Sequence, residues 1–220
     1  MNFILRYYSL KGVYLFFGII TINILVTWLS KSLLIDEVVF YNTYSEQLTY
    51  ERSLQLFENM QRFSWLSYAI LPVVLLLKFT IISIVIYTGV FFSNSNEKIE
   101  YKTIFKIIVA SEIIFIAVSI SKLLWFYLFG GNYDLNDLGF FYPLSLINLF
   151  DISEVNKVWI YPLQVINIFQ IVYIILISYA LKNVCKIDAS VSDRIVLSAY
   201  LPALVIWIVL IMFLTIETTL

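Results

Sequence analysis

Five apolar runs dominate this chain, at about 12–31, 64–92, 103–129, 158–181 and 195–216. A helix needs about twenty such residues to cross about 30 Å of hydrocarbon. The chain has 220 residues, so little is left over for anything else. It is 61% hydrophobic and 13% charged, with mean hydropathy +0.91, where soluble domains carry about 45–50% apolar and about 25% charged residues. One small core cannot bury that excess. The expected architecture is all-α: a polytopic membrane protein forming a single transmembrane domain over 1–220, with five transmembrane helices. An interfacial helix is expected before the second span, and a short interfacial or re-entrant helix before the fourth. The first run starts basic, with Arg6 and Lys11, as a signal peptide would. Its apolar core is too long for one and no A-x-A site precedes Lys31, so it is expected to stay attached as a span.

Charge then sets orientation, because cytoplasmic loops collect Lys and Arg. Arg6, Lys11, Lys98, Lys102, Lys106, Lys182, Lys186 and Arg194 fall on one side of the five-span walk. Lys31, Arg52, Arg62 and Lys157 fall on the other, where acids also gather: Asp36, Glu37, Glu46, Glu51, Glu58, Asp134, Asp137, Asp151 and Glu154. The N-terminus is expected in the cytoplasm and the C-terminus outside. Tryptophan supplies an independent register. Trp28 ends the first span, Trp65 opens the second, Trp125 nears the end of the third and Trp159 opens the fourth. All four then share the outer interface, where indole rings prefer to sit.

Both long connections are therefore outer. Residues 43–62 read as a helix, with Thr43-Tyr44-Ser45-Glu46 as a capping box and Glu58/Arg62 at i,i+4. Residues 130–157 open on the turn signal Gly130-Gly131-Asn132 and continue into an apolar piece too short to span. Within it, Tyr142-Pro-Leu-Ser-Leu-Ile-Asn-Leu-Phe150 recurs nineteen residues later as Tyr161-Pro-Leu-Gln-Val-Ile-Asn-Ile-Phe169. Each proline suits a first helical turn. The echo reads either as a half-helix and a full helix framing a polar pocket, or as two helix starts built by the same local rules.

Ionisable groups inside spans demand an explanation, since each costs at least about 2.5–3.5 kcal/mol at the bilayer centre. Lys78 lies thirteen residues after Trp65, and Glu112 thirteen before Trp125. At 1.5 Å per residue both sit about 20 Å below the tryptophan belt on consecutive, antiparallel spans, so a Lys78–Glu112 ion pair is expected. Gln164, Asn167 and Gln170 form an i, i+3, i+6 polar stripe on the fourth span at overlapping depth, with Asn23 a further candidate neighbour. Two readings stay open: interhelical hydrogen-bonding glue, or a hydrated path or substrate site with Glu112 as a protonatable carboxylate. Lys122, about one turn below Trp125, is expected to snorkel outward.

Composition excludes much chemistry. With no histidine, Ser-His-Asp and Cys-His catalysis, HExxH zinc sites and haem ligation are absent. Cys185 is the only cysteine, so no intramolecular disulfide forms. No phosphate-binding glycine loop occurs, the outer acids match no calcium loop, and a net charge of −1 carries no nucleic-acid footprint. No cofactor and no enzymatic activity are expected. Heavy use of Ile, Phe, Tyr, Asn and Lys fits an AT-rich bacterial genome.

Five spans, a cytoplasmic N-terminus, prolines near helix starts (Pro72, Pro162, Pro202) and two short cytoplasmic turns together resemble the Yip family of membrane proteins. The stretches Tyr7-Tyr-Ser-Leu-Lys-Gly12 and Phe141-Tyr-Pro-Leu-Ser-Leu-Ile-Asn-Leu-Phe150 look like those of its small bacterial, Bacteroidetes-type members. That resemblance implies a non-enzymatic accessory or scaffold protein of the bacterial inner membrane, with a periplasmic C-terminus, and assigns no functional residue. The expected function is a subunit that docks on a larger envelope complex, an exporter or secretion machine. The outer segments 36–62 and 130–157 would be its contact surfaces. The alternative is a small oligomeric transporter or channel subunit using Lys78, Glu112 and the polar stripe of the fourth span. Expected partners are membrane lipid and either another integral membrane protein or further copies of the chain.

Overall fold

The computed structural model describes residues 3–93, 99–152 and 154–219; Lys98, one of the orientation-setting cations, lies outside these. The described residues are mostly helical, with no strand. A short helix α1 (Phe3–Ser9) leads into α2 (Gly12–Leu34). Helices α3 (Glu37–Tyr44) and α4 (Tyr50–Arg62) follow, then the long α5 (Ser64–Phe92). Helices α6 (Tyr101–Ser111) and α7 (Ile113–Phe129) are one rod interrupted at Glu112. After α8 (Leu135–Phe140) and a 3₁₀ turn (Leu146–Leu149) come α9 (Lys157–Val165) and α10 (Ile168–Val184). The chain closes with α11 (Ala189–Ile195), a π-helical turn (Val196–Tyr200) and α12 (Leu201–Thr219).

Four helices are long and apolar enough to cross a membrane: Gly12–Leu34, Ser64–Phe92, Tyr101–Phe129 and Ala189–Glu217. They coincide with four of the five expected runs. The fifth run, 158–181, is corrected: it is not one helix but α9 and α10, separated at Ile166-Asn167. One local cause acts there: Asn167 is a strong helix N-cap whose side chain accepts from the Gln170 N–H. The 17 residues of α10 reach about 26 Å, less than a full crossing.

Three other expectations change at this level. The helix over 43–62 does not start at Thr43, which lies near the end of α3. Its hydroxyl donates to the Val39 carbonyl and accepts the Leu135 N–H, so it cannot cap α4. Glu58 and Arg62 form no ion pair; the Lys78–Glu112 bridge is the only one among the described residues. The prolines also sit differently: Pro72 is inside α5 and Pro162 inside α9, while Pro143 occupies a turn. Among the outer acids, Asp36, Asp134 and Asp137 serve as helix caps. Asp36 caps α3, and Asp134 with Asp137 makes a reciprocal capping box on α8.

The core runs through the middle of the bundle, where Phe79, Ile86, Ile104, Ile107, Tyr173, Ile177 and Val196 are shielded. Helix α1 tucks under it: the Tyr8 hydroxyl pairs with Ser111 Oγ at 2.8 Å, and the Tyr7 hydroxyl donates to the Ala110 carbonyl at 3.2 Å. A second, smaller cluster of Leu34, Val39, Phe126 and Leu138 seals the tryptophan-bearing end. Glycine matters at one packing point. A Cβ on Gly89 would meet Ala199 Cβ at 2.9 Å and Ile195 Cγ2 at 3.1 Å, so a bare backbone lets α5 approach the π turn.

Candidate functional site

Lys78 on α5 and Glu112 at the α6–α7 interruption meet at 2.6 Å, Nζ to Oε1. The interruption has a local cause. The hydroxyl of Ser111 bonds back to the Ile107 carbonyl, a habit that bends helices, and the N–H of Glu112 is directed at the Val109 and Ala110 carbonyls. The acid is deeply enclosed, at 2% exposure, whereas the lysine side chain is 37% exposed at the helix surface. The ammonium also lies 4.2 Å from the centroid of the Phe115 ring, which partly compensates its lost water.

From this pair a continuous string of contacts crosses the bundle. The Phe115 ring packs on Tyr173 at 4.9 Å between centroids, and Tyr173 packs on Tyr200 at 5.7 Å. The Tyr200 hydroxyl receives a 2.6 Å bond from Gln170 Nε2. Tyr173 is fully buried and its hydroxyl has no hydrogen-bond partner; neither does the second carboxylate oxygen of Glu112. Buried polar atoms without partners are rare and costly. Two of them occur in one cluster here, with the Tyr8–Ser111 pair beginning at the residue next to Glu112.

Each irregular backbone segment of the spanning region feeds this cluster. Glu112 occupies the α6–α7 bend, Tyr200 closes the π turn, and Gln170 lies in the first turn of α10 after the break. Such segments are tolerated at membrane depth only where the freed backbone groups find partners. At Ile166-Asn167 the connecting segment provides them. Leu146 N–H donates to the Ile166 carbonyl at 3.0 Å, Ile168 N–H to the Leu144 carbonyl at 3.2 Å, and Ser145 faces Asn167 as an antiparallel bridge. Asn167 Nδ2 covers the Gln164 and Val165 carbonyls at 2.8 and 3.0 Å. The two copies of the sequence echo thus pair with each other, through Leu144 held at φ 52.

The expected stripe on the fourth span is therefore divided. Gln170 joins the Glu112 cluster. Gln164 turns away to the Gly139 and Phe140 carbonyls, and Asn167 serves the break itself. Asn23 donates to the Ile19 carbonyl of its own helix. Lys122 does not simply snorkel: its amine donates to the Leu138 carbonyl beneath α8. Trp28, Trp65, Trp125 and Trp159 are all well exposed, and Trp125 stacks on Phe141. Sequence reasoning missed Tyr173 and Tyr200, because tyrosine in an apolar run reads as core; the signal available was the hydroxyl, which seeks a partner when buried. It also missed Tyr7 and Tyr8. Among the described residues no group of three Asp, Glu or Cys converges as a metal site. No family model, curated protein or solved structure matches the chain.

Proposed function

We propose that the chain is a non-enzymatic membrane subunit of the transporter or channel type, handling a proton at Glu112. The observation that supports this reading is the enclosed carboxylate itself. One oxygen is paired with Lys78 and the other has no hydrogen-bond partner, and the same is true of the Tyr173 hydroxyl in the same buried region, where a bend, a π turn and a broken helix come together. Discontinuous helices converging on an intramembrane charge are the usual construction of a transport site. In this reading the Tyr8–Ser111 pair leads from one end of the molecule to Glu112, and Tyr173, Tyr200 and Gln170 lead on toward the other. A proton on Glu112 neutralises the acid, releases Lys78 and loosens the bend.

The test is proton flux into liposomes holding the purified chain under an imposed potential, read with an entrapped pH dye. Wild type is expected to exceed empty liposomes, with Glu112→Gln reduced to that background while its unfolding temperature stays within a few degrees. Equal flux in wild type and Glu112→Gln overturns the reading.

The docking reading is favoured by a different observation: none of the described side chains of α12 is buried, so this span packs mainly along α9 and leaves its remaining faces to lipid or another chain. On that reading the chain is an accessory subunit of a larger bacterial inner-membrane complex, Yip-like as its sequence suggests. A stoichiometric larger partner co-purifying in mild detergent supports it; a lone chain sinks it.

A further inference from the structure

A cavity of about 370 Å³ opens between α2, α7 and α8, well away from Glu112, and is lined by both Lys31 and Lys122. Lys31 lies three residues beyond the belt tryptophan Trp28 and Lys122 three residues inside Trp125, so the two flank the headgroup level. Neither has a carboxylate partner among the described residues. The Lys31 amine bonds Ser67 Oγ at 2.9 Å and lies 5.3 Å from the centroid of the Tyr68 ring. The Lys122 amine bonds only the Leu138 carbonyl. An ammonium has three donors, so each keeps two for an acceptor from outside the chain. Lys31 sits at the exposed rim with its amine against Ser67 and Tyr68 of α5, whereas Lys122 is a partly buried cation without a counter-charge among the described residues, which is costly unless an anion joins it. Ser30 and Ser119 add hydroxyls, while Ile35 and Leu138 supply apolar wall, and the volume is within the range of small-molecule sites.

We infer that this cavity binds the phosphate headgroup of an anionic phospholipid, with Lys31 and Lys122 as the anion's partners. The chemistry is phosphate recognition by two amines, and the apolar wall selects a lipid over a free ion. This inference stands apart from the proton reading and needs none of its residues.

The test uses the full chain in nanodiscs and in detergent, with three probes: phosphatidylglycerol, phosphatidylcholine and inorganic phosphate. Phosphatidylglycerol is expected to raise the unfolding temperature by several degrees and to survive as a bound molecule in native mass spectrometry, with phosphatidylcholine and inorganic phosphate doing neither. Lys122→Gln is expected to weaken phosphatidylglycerol retention about tenfold, and Lys122→Arg to preserve it. Should Lys122→Gln not fold, Lys31→Gln at the rim carries the same expectation. Equal effects of the two lipids, or wild-type retention in Lys31→Gln/Lys122→Gln, overturn the inference. Stabilisation by inorganic phosphate alone also overturns it, in favour of a free-anion site.

Discussion

Glu112 concentrates the chemistry of this chain on one side chain. Replacing it with Gln leaves the Lys78 ammonium beside Phe115 without its counter-charge. Breaking a buried pair costs about 3–5 kcal/mol, and the partial exposure of Lys78 puts this case at the lower end, about 3 kcal/mol if the pair is purely structural. The double swap Lys78→Glu/Glu112→Lys then recovers part of the loss in thermal unfolding. If the pair instead handles a proton, Glu112→Gln costs much less, because the neutral amide resembles the protonated acid. Cys185 offers a separate check on the packing at the far end of α10. Burial pushes its thiol up to about 11 against the pull of Lys106, from an ordinary 9.0. The folded state therefore holds the proton more tightly, so this contribution to stability is complete below pH 9 and disappears as pH rises toward 11. Iodoacetamide at pH 8 is expected to label native protein about a hundredfold more slowly than unfolded protein, from the difference of about two units in thiol acidity. Comparable rates would mean that Cys185 is not enclosed.

Helix breaks separate what was legible in the sequence from what was not. The Lys78–Glu112 contact was legible, because tryptophans at both helix ends turn residue counts into depths. The break at Ile166-Asn167 was hidden: Gln164, Asn167 and Gln170 keep helical spacing, and no glycine marks the site. Its clues were the capping preference of Asn167 and the repeated nonapeptide, whose copies pair across the break. The π turn left no mark, since Val196–Tyr200 looks like any apolar helix in local propensity. Asn167→Ala removes the α10 cap and uncovers two carbonyls, so it is expected to cost about 1–2 kcal/mol in thermal unfolding. A neutral result would mean that α10 is held by its packing alone. Gly89→Val drives a side chain into Ala199 and Ile195 and is expected to cost about 1–3 kcal/mol. Pairing it with Ala199→Gly recovers part of that cost if α5 and the π turn meet there.

At the scale of the molecule, the four long helices and broken α9–α10 surround a polar string that begins near α1 and ends at Gln170. The belt tryptophans and the short helices α3, α4 and α8 occupy one end, with α1 and the α10–α11 connection at the other. Fold class was readable from the length of the apolar runs alone, whereas the convergence of three interruptions is a property of tertiary packing. Glu112 can be questioned directly with dicyclohexylcarbodiimide, an apolar reagent that attacks protonated carboxyls, on the chain in lipid across a pH series. A working protonatable site gives modification at Glu112, as an adduct or an amide link to Lys78, increasing as pH falls and absent in Glu112→Gln. No modification of Glu112 at any pH, while a water-soluble carbodiimide labels the exposed Glu51 and Glu58 of the same sample, would mean a sealed structural pair and contradict the proposed role.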